Sequence, residues 1–191
     1  MTLLTFGDAR EALRRSAGGR ADQLVAKTVL DSRSKALPSQ RFDVFLSYSH
    51  MDQVVIAGVV EYLRQAGLEV YIDRIDDPSL DRTRVAPATA NTVRTRMQQC
   101  RNLYYASTPN ATHSRWMPWE LGYFDGLRPG GVFILPVVPT SANGFPAGQE
   151  YLGLYPIVEK SPKVGARTMD IQVPGTRSWS EATAYARRTQ I

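Results

Sequence analysis

From Phe42 onward, the sequence alternates between short apolar runs and longer amphipathic segments with helical spacing. This alternation is typical of a parallel sheet, because a crossover helix must connect each pair of parallel strands and these helices cover the sheet. The pattern therefore predicts an α/β fold with a central five-stranded parallel sheet and helices on both of its faces.

The predicted strands and helices follow from the apolar runs and from the turn residues between them. The strands are 42–47, 68–72, 102–107, 132–138 and 155–159. The helices are 53–65, 87–99, 118–126 and 180–188. The first of these helices carries an apolar stripe that would pack on the sheet, formed by Val55, Ile56, Val59, Val60 and Leu63.

Residues 1–40 differ from the rest and are predicted to form a short N-terminal helical extension. Asp8 followed by Glu11 resembles a capping pair, and the glycines at 18 and 19 would end the helix. A second helical stretch is predicted over 21–34. The domain itself is predicted over 41–191, with a core over 41–160 and a C-terminal segment over 161–191. Two arrangements stay open for the extension, which are packing on the domain and pairing with another subunit.

The composition excludes several classes of protein. A chain of 191 residues holds one ordinary domain, so one active site is expected. The longest apolar stretch, 131–138, is too short to cross a bilayer and no secretory signal is recognisable, so we expect a cytoplasmic protein. A single cysteine, Cys100, and the lack of a Cys/His cluster predict neither a disulfide nor a metal site. The net charge of +5 suits an anionic partner, but the arginines over 82–101 lack interleaved aromatics, so nucleic acid is not expected.

Polar residues gather where a sheet of this kind binds its ligands. In an open parallel sheet the ligand lies beyond the carboxyl ends of the strands, and in a flavodoxin-like strand order it lies between the first and third strands. The loops there are 48–52 and 108–117, and Asp73 ends the second strand nearby. Pro118 fits a first helical turn, which places Glu120 near the helix amino terminus and facing this crevice.

Glu120 has two interpretations. An acid in a first helical turn is often present because it interacts favourably with the helix dipole. Alternatively, Trp116, Trp119, Tyr123 and Phe124 shield the carboxylate from water, which would strengthen its field on a developing positive charge. The second interpretation predicts an essential carboxylate.

Five segments occur in an order and spacing that is more specific than any one of them. They are 42–49, 67–73, 74–82, 101–107 and Trp116-Met117-Pro118-Trp119-Glu120. In this order they resemble the first box, second strand, BB loop, third strand and Trp-x-x-x-Glu motif of catalytic Toll/interleukin-1 receptor (TIR) domains. The resemblance covers 41–159 and implies a flavodoxin-like TIR fold.

The resemblance also implies a function. In catalytic TIR domains the motif glutamate, here Glu120, is required for cleavage of NAD⁺, which is the substrate, and no further cofactor is expected. By the same resemblance, the nucleotide site is lined by Tyr48, Ser49, His50, Asp73, Leu80 and Trp116. The segment 74–82 departs from the family because it lacks glycine, and Ser49 and His50 stand where some relatives have basic residues.

A single carboxylate is sufficient for this cleavage. Nicotinamide leaves as a neutral molecule, so breaking its bond to ribose requires no general acid. The transition state resembles an oxocarbenium ion, which a carboxylate such as Glu120 can stabilise. Attack by water gives ADP-ribose, and attack by a group of the substrate itself gives a cyclic product. The sequence does not choose between them.

The main alternative is a non-catalytic TIR module that binds other proteins. A phosphoacceptor receiver on the same fold fails because the third strand ends in Tyr105-Ala106-Ser107, without an aspartate. A Ser-His-Asp hydrolase is disfavoured by the absence of a Gly-x-Ser-x-Gly elbow. Because catalytic TIR domains generally work as assemblies, self-association is expected. A separate effector or activating partner protein is also expected, as in stand-alone TIR proteins of bacterial antiphage systems such as Thoeris.

Overall fold

The computed structural model describes residues 2–16, 39–72, 86–141, 149–161, 169–172 and 179–181. In chain order, its strands and helices are β1 (Leu4–Thr5), α1 (Phe6–Ser16), β2 (Phe42–Ser47), α2 (Gln53–Gln65), β3 (Val70–Tyr71), α3 (Pro87–Gln98), β4 (Cys100–Ser107), α4 (Trp116–Leu127), β5 (Val132–Val138), β6 (Ile157–Lys160), β7 (Met169–Gln172) and β8 (Trp179–Glu181). Short 3₁₀ turns lie at His50–Asp52, Ala111–His113 and Glu150–Leu154. Within these described ranges, no helix combines the length and the apolar character needed to cross a membrane.

The sheet has the strand order β3-β2-β4-β5-β6-β7-β8, and β1 pairs with β5. The strands from β3 to β6 in this order are all parallel. They are the five predicted strands, so the prediction of a parallel sheet is confirmed. The chain runs from β2 to β3 on one side and later returns to β4 on the other. The strand order therefore reverses between β2 and β4, where the crevice was predicted.

The described residues contain three strands in addition to the five that were predicted. Strands β7 and β8 extend the sheet in antiparallel orientation, and β1 pairs with Val137 and Val138 of β5. Strand β1 has two residues, β7 has four and β8 has three, too few for an alternating pattern to be visible in the sequence.

The helix predicted over 180–188 is wrong at its start. Ser180 and Glu181 lie in β8, where pairing with β7 outweighs their local preference. Residues 182–188 lie outside the described residues. The same is true of the second helix predicted in the extension, over 21–34.

Each face of the sheet carries its own apolar core. On one face, α1 and α2 pack over Val44 and Leu46 of β2, and on the other face α3 and α4 pack over Phe45. Strands β2 and β5 are buried along their whole length, as expected for central strands covered on both sides. Because side chains alternate along a strand, Ser47 points to the same face as Phe45, which is the face of α4.

The N-terminal segment is part of this core. Helix α1 packs against α2 so closely that a Cβ atom on Gly58 would lie 2.2 Å from the carbonyl oxygen of Ala9. The predicted capping pair of Asp8 and Glu11 is wrong, because the helix begins three residues earlier than that pair requires. Instead, Thr5 Oγ1 accepts a hydrogen bond from the Asp8 amide, and the Asp8 carboxylate accepts one from the Thr5 amide. Of the two open arrangements, packing on the domain is what residues 4–16 adopt.

Candidate active site

Glu120 lies on the side of α4 that faces the sheet. The helix buries Met117, Glu120, Leu121 and Phe124, and the side chain of Glu120 is 0% exposed. The helix begins at Trp116, two residues before the predicted start, so Pro118 lies in its first turn and Glu120 in its second. A carboxylate buried to this degree requires a hydrogen-bonding partner.

Ser47 supplies such a partner. Its hydroxyl donates a hydrogen bond of 2.6 Å to Oε2 of Glu120, and Ser47 is itself only 1% exposed. Since Ser47 is the last residue of β2, this bond places the Glu120 carboxylate at the carboxyl end of a central strand. This is the edge of the sheet where ligands bind in folds of this type.

Tyr105 of β4 lies beside this pair. It is the cross-strand neighbour of Ser47, and its hydroxyl donates a hydrogen bond of 2.6 Å to Oε1 of Gln149. Burial raises the pKa of Tyr105, and the electrostatic influence of Tyr151 and of Glu120 acts in the same direction. The phenol therefore keeps its proton, and it adds no second negative charge beside Glu120.

Asp52 joins the two loops that border the crevice. It lies in the 3₁₀ turn after β2 and is 4% exposed. Its carboxylate accepts hydrogen bonds of 2.6 Å from the Thr108 hydroxyl and 2.7 Å from the Asn110 amide, both in the loop after β4. The loops at the carboxyl ends of β2 and β4 are therefore fixed relative to each other.

The residues predicted to line the nucleotide site occupy different environments. Ser49 is 1% exposed, and its Oγ has no hydrogen-bond partner among the described residues. His50 is exposed in the 3₁₀ turn, whereas Tyr48 is half-buried and packs on the α2 side of the sheet. Asp73 and Leu80, with the whole segment 74–82, lie outside the described residues.

The aromatic residues of α4 form a ladder along its flank. Trp116 meets Trp119 edge to face at 5.4 Å, and Trp119 stacks on Tyr123 at 5.8 Å. The guanidinium of Arg94, from α3, lies 5.3 Å from the Trp119 ring and 5.7 Å from the Tyr123 ring. Trp119 and Tyr123 therefore hold α3 and α4 together through a cation–π contact. Of the four aromatic residues predicted to shield Glu120, Phe124 is buried on the same side of the helix as Glu120.

The sequence analysis missed Ser47, Asp52, Tyr105 and Gln149 as parts of this site. Ser47 could have been found, because strand alternation places it on the same face as Phe45 and therefore toward the helices of that face. Asp52, Tyr105 and Gln149 make contacts between segments that are distant in the chain, and these segments come together only in the folded protein. No local sequence signal specifies them.

Comparison with known proteins places this arrangement in a family. The model of the TIR domain family matches residues 44–157. A Bacillus cereus (strain MSX-D12) protein named probable 3′ cyclic ADP-D-ribose synthase ThsB′ is 40% identical over 178 residues, which are 91% of this chain and 91% of that protein. A Cytobacillus dafuensis protein named putative cyclic ADP-D-ribose synthase TIR2 is 30% identical over 83 residues, which are 43% of this chain and 22% of that protein. The resemblance in the motifs is thus confirmed, and the chain belongs to the TIR domain family.

Proposed function

We propose that this protein cleaves the bond between nicotinamide and ribose in NAD⁺, with Glu120 as the essential carboxylate. The observation that carries the proposal is the position of Glu120, which is fully buried and hydrogen-bonded by Ser47 at the carboxyl end of β2. An open α/β sheet binds its ligands at this edge. The two relatives named as cyclic ADP-D-ribose synthases support the same activity.

The burial of Glu120 suits it to the transition state. As the bond from ribose C1 to the nicotinamide nitrogen breaks, its electron pair goes to nicotinamide, and positive charge develops on the ribose. A carboxylate removed from water acts on that charge more strongly than an exposed one would. No acid is needed because nicotinamide leaves without taking up a proton.

The product is proposed to be a cyclic ADP-ribose. In this reaction a hydroxyl oxygen of the same molecule attacks ribose C1, forms a new C–O bond and releases its proton to solvent. The name of the Bacillus cereus relative points to the 3′ position as the point of ring closure. Attack by water on the same carbon would instead give ADP-ribose, so both products are assayed.

Substrate contacts are proposed for the six residues that the family resemblance selects, Tyr48, Ser49, His50, Asp73, Leu80 and Trp116. Ser49 has the clearest support, since a buried hydroxyl without a protein partner among the described residues is free to bond a polar group of the ligand. Trp116 is half-buried at the start of α4, one turn before Glu120.

The biological setting is also a proposal. We expect a cytoplasmic enzyme that self-associates and acts in bacterial antiphage defence. In that setting, either its nucleotide product would activate a separate effector protein, or another protein would activate the enzyme. The motifs shared with catalytic bacterial TIR domains support this setting. Light scattering of the purified protein, in parallel with its activity over a range of concentrations, tests the requirement for self-association.

The experiment that tests the activity compares wild type with Glu120→Gln, which keeps the shape of the side chain and removes its charge. Each protein is incubated with NAD⁺ at high protein concentration, and the products are separated by chromatography and identified by mass spectrometry. We expect Glu120→Gln to lose about 100-fold or more of the turnover, as for other groups that stabilise transition-state charge. Glu11→Gln is the matched control, because Glu11 is an exposed acid on α1. Equal turnover in wild type and Glu120→Gln, or none in either, would favour a non-catalytic interaction module.

A further inference from the structure

The contact between Ser47 and Glu120 has the features of a strong hydrogen bond. The two oxygens are 2.6 Å apart, within the range typical of a hydroxyl that donates to an ionised carboxylate. Both side chains are almost completely removed from solvent, with exposures of 1% and 0%. In such surroundings a hydrogen bond to a charge is stronger than at the surface.

Ser47 is also held more rigidly than a loop residue would be. It ends β2, whose backbone pairs with β4 in the register that sets Ser47 opposite Tyr105. A donor on a central strand keeps its position, and a group that it binds is fixed with the same precision. Glu120 approaches from a different element, α4, so this bond joins the helix to the strand at the carboxylate.

The hydroxyl of the neighbouring Tyr105 has a different hydrogen-bond partner. The proton of Tyr105 is directed to Gln149 at 2.6 Å, on the segment that leads into β6. Tyr105 is therefore a neutral neighbour of Glu120, whereas the Ser47 hydroxyl points at the carboxylate itself.

We propose that Ser47 is the positioning residue of the active site, whose hydroxyl keeps Glu120 ionised and oriented toward the sugar that loses nicotinamide. This inference rests on the proposed cleavage of NAD⁺ for its catalytic consequence. The hydrogen bond favours the charged carboxylate over the neutral acid, because a hydroxyl bonds more strongly to an ionised carboxylate than to a neutral acid. Ser47 itself does not touch the reacting atoms.

Three substitutions separate the hydroxyl from the size of the side chain. Ser47→Ala removes the hydroxyl without adding bulk, whereas Ser47→Thr and Ser47→Val have nearly the same volume and differ by the hydroxyl. We expect Ser47→Ala and Ser47→Val to lower kcat by about 10- to 100-fold, the loss expected for a hydrogen bond to a charged group. KM should change much less than kcat. Ser47→Thr should keep most of the turnover.

The pH dependence of kcat distinguishes positioning from a structural role. Without the donor, the acidic limb of the profile should move upward by about one pH unit, because the neutral acid becomes easier to form. Ser47→Thr should keep the limb of wild type. Thr5→Ala, which weakens the helix cap on the far segment β1–α1, serves as a control for lost stability and should leave the limb in place. An unchanged limb in Ser47→Ala, or equal profiles in Ser47→Thr and Ser47→Val, would overturn the proposal.

A measurement that does not depend on turnover separates this inference from the proposed function. The titration of the Glu120 carboxyl carbon is followed by nuclear magnetic resonance in protein labelled with ¹³C at glutamate, with Glu120→Gln used to assign the signal. A midpoint that rises in Ser47→Ala supports the role of Ser47 even if wild type leaves NAD⁺ intact. If wild type cleaves NAD⁺ and the midpoint is the same in both proteins, the role of Ser47 is refuted and the proposed function stands.

Discussion

Asp52 accepts a hydrogen bond of 2.6 Å from the hydroxyl of Thr108, a residue 56 positions later in the chain. The bond joins the turn after β2 to the loop after β4, and Asn110 adds a second bond of 2.7 Å to the same carboxylate. The two loops that border the crevice are thereby held by one buried acid. Asp52 thus joins the two loops, whereas Ser47 bonds to Glu120 itself.

This division of roles predicts the behaviour of Asp52→Asn. The substitution replaces one acceptor oxygen by a donor, which would face the donor of either Thr108 or Asn110. We expect the free energy of unfolding to fall by about 1–3 kcal/mol, the cost of leaving a buried polar group unsatisfied. KM for NAD⁺ should rise more than kcat falls. Urea unfolding and steady-state kinetics measure the two effects, and Glu11→Gln is the control at an exposed acid. Unchanged stability would show that the two loops are held by other contacts.

Adjacent tyrosines on β4 predict opposite responses to the same substitution. Tyr104 is 0% exposed and its hydroxyl has no hydrogen-bond partner among the described residues, whereas the hydroxyl of Tyr105 donates to Gln149. Tyr105→Phe should lower the free energy of unfolding by about 1 kcal/mol because it leaves Gln149 without this donor. Tyr104→Phe should be neutral or stabilising because it removes a buried hydroxyl that no described residue satisfies. Denaturant unfolding of both variants near pH 7 tests the pair, and equal losses in both would contradict it.

Much of the fold could be predicted because long strands and helices show a recognisable spacing of apolar residues in the sequence. The run Phe42–Ser47 is apolar enough to be a central strand, and α2 shows its apolar stripe over 13 residues. The strands β1, β7 and β8 were not predicted, because β1 precedes the alternation of strands and helices that begins at Phe42, and β7 and β8 follow the last strand of that alternation. Their pairing depends on strands distant in sequence or formed late in the chain: β1 pairs with β5, β7 with β6 and β8 with β7.

The candidate site was likewise predictable only in part. Glu120 could be located because Pro118 marks a first helical turn and the topology of the sheet fixes where ligands bind. Its donor, Ser47, lies 73 positions earlier, and Gln149 lies 44 positions after Tyr105. Contacts between residues so far apart in the chain can be identified only once the packing of the strands and helices is known. The capping pair was misplaced for a local reason, since Thr5 could not be recognised as a cap while β1 was unknown.

The close approach of α1 and α2 predicts a strong effect of Gly58→Ala. The new Cβ atom would lie 2.2 Å from the carbonyl oxygen of Ala9, a backbone atom that can move only with α1. We expect a loss of about 1–3 kcal/mol in the free energy of unfolding, as for other substitutions that overpack a core. Gly126→Ala is the matched control, because a Cβ atom at Gly126 meets nothing within 4 Å and Gly126 lies in α4. That variant should gain about 0.5–1 kcal/mol, since alanine favours a helix over glycine. Thermal unfolding of both proteins measures the difference, and a stable Gly58→Ala would show that α1 is free to shift.

The ion pair between Asp8 and Lys160 predicts how stability depends on acid pH. Burial alone would raise the pKa of Asp8, but hydrogen bonds from Lys160 and Thr5 outweigh burial and lower the pKa below its ordinary value of 3.8. The unfolded chain therefore takes up a proton at Asp8 at higher pH than the native protein does. The contribution of Asp8 to stability is fully present above about pH 4 and is lost as the pH falls through the lowered native pKa.

Asp8→Asn tests this dependence, because asparagine keeps the shape of the cap and removes its charge. Near pH 7 the variant should be less stable than wild type by up to about 1 kcal/mol, because it loses the ion pair with Lys160. The difference between the two proteins should shrink as the pH falls from about 4 toward 2, because the unfolded wild-type chain then takes up a proton at Asp8 while the native protein still holds the charge. Urea midpoints across this range measure the difference, and Glu11→Gln provides the comparison at an exposed acid of the same helix. A difference that stays constant across the range would mean that the loss comes from an acceptor oxygen that asparagine lacks and not from the charge of Asp8, and that the ion pair with Lys160 contributes nothing measurable.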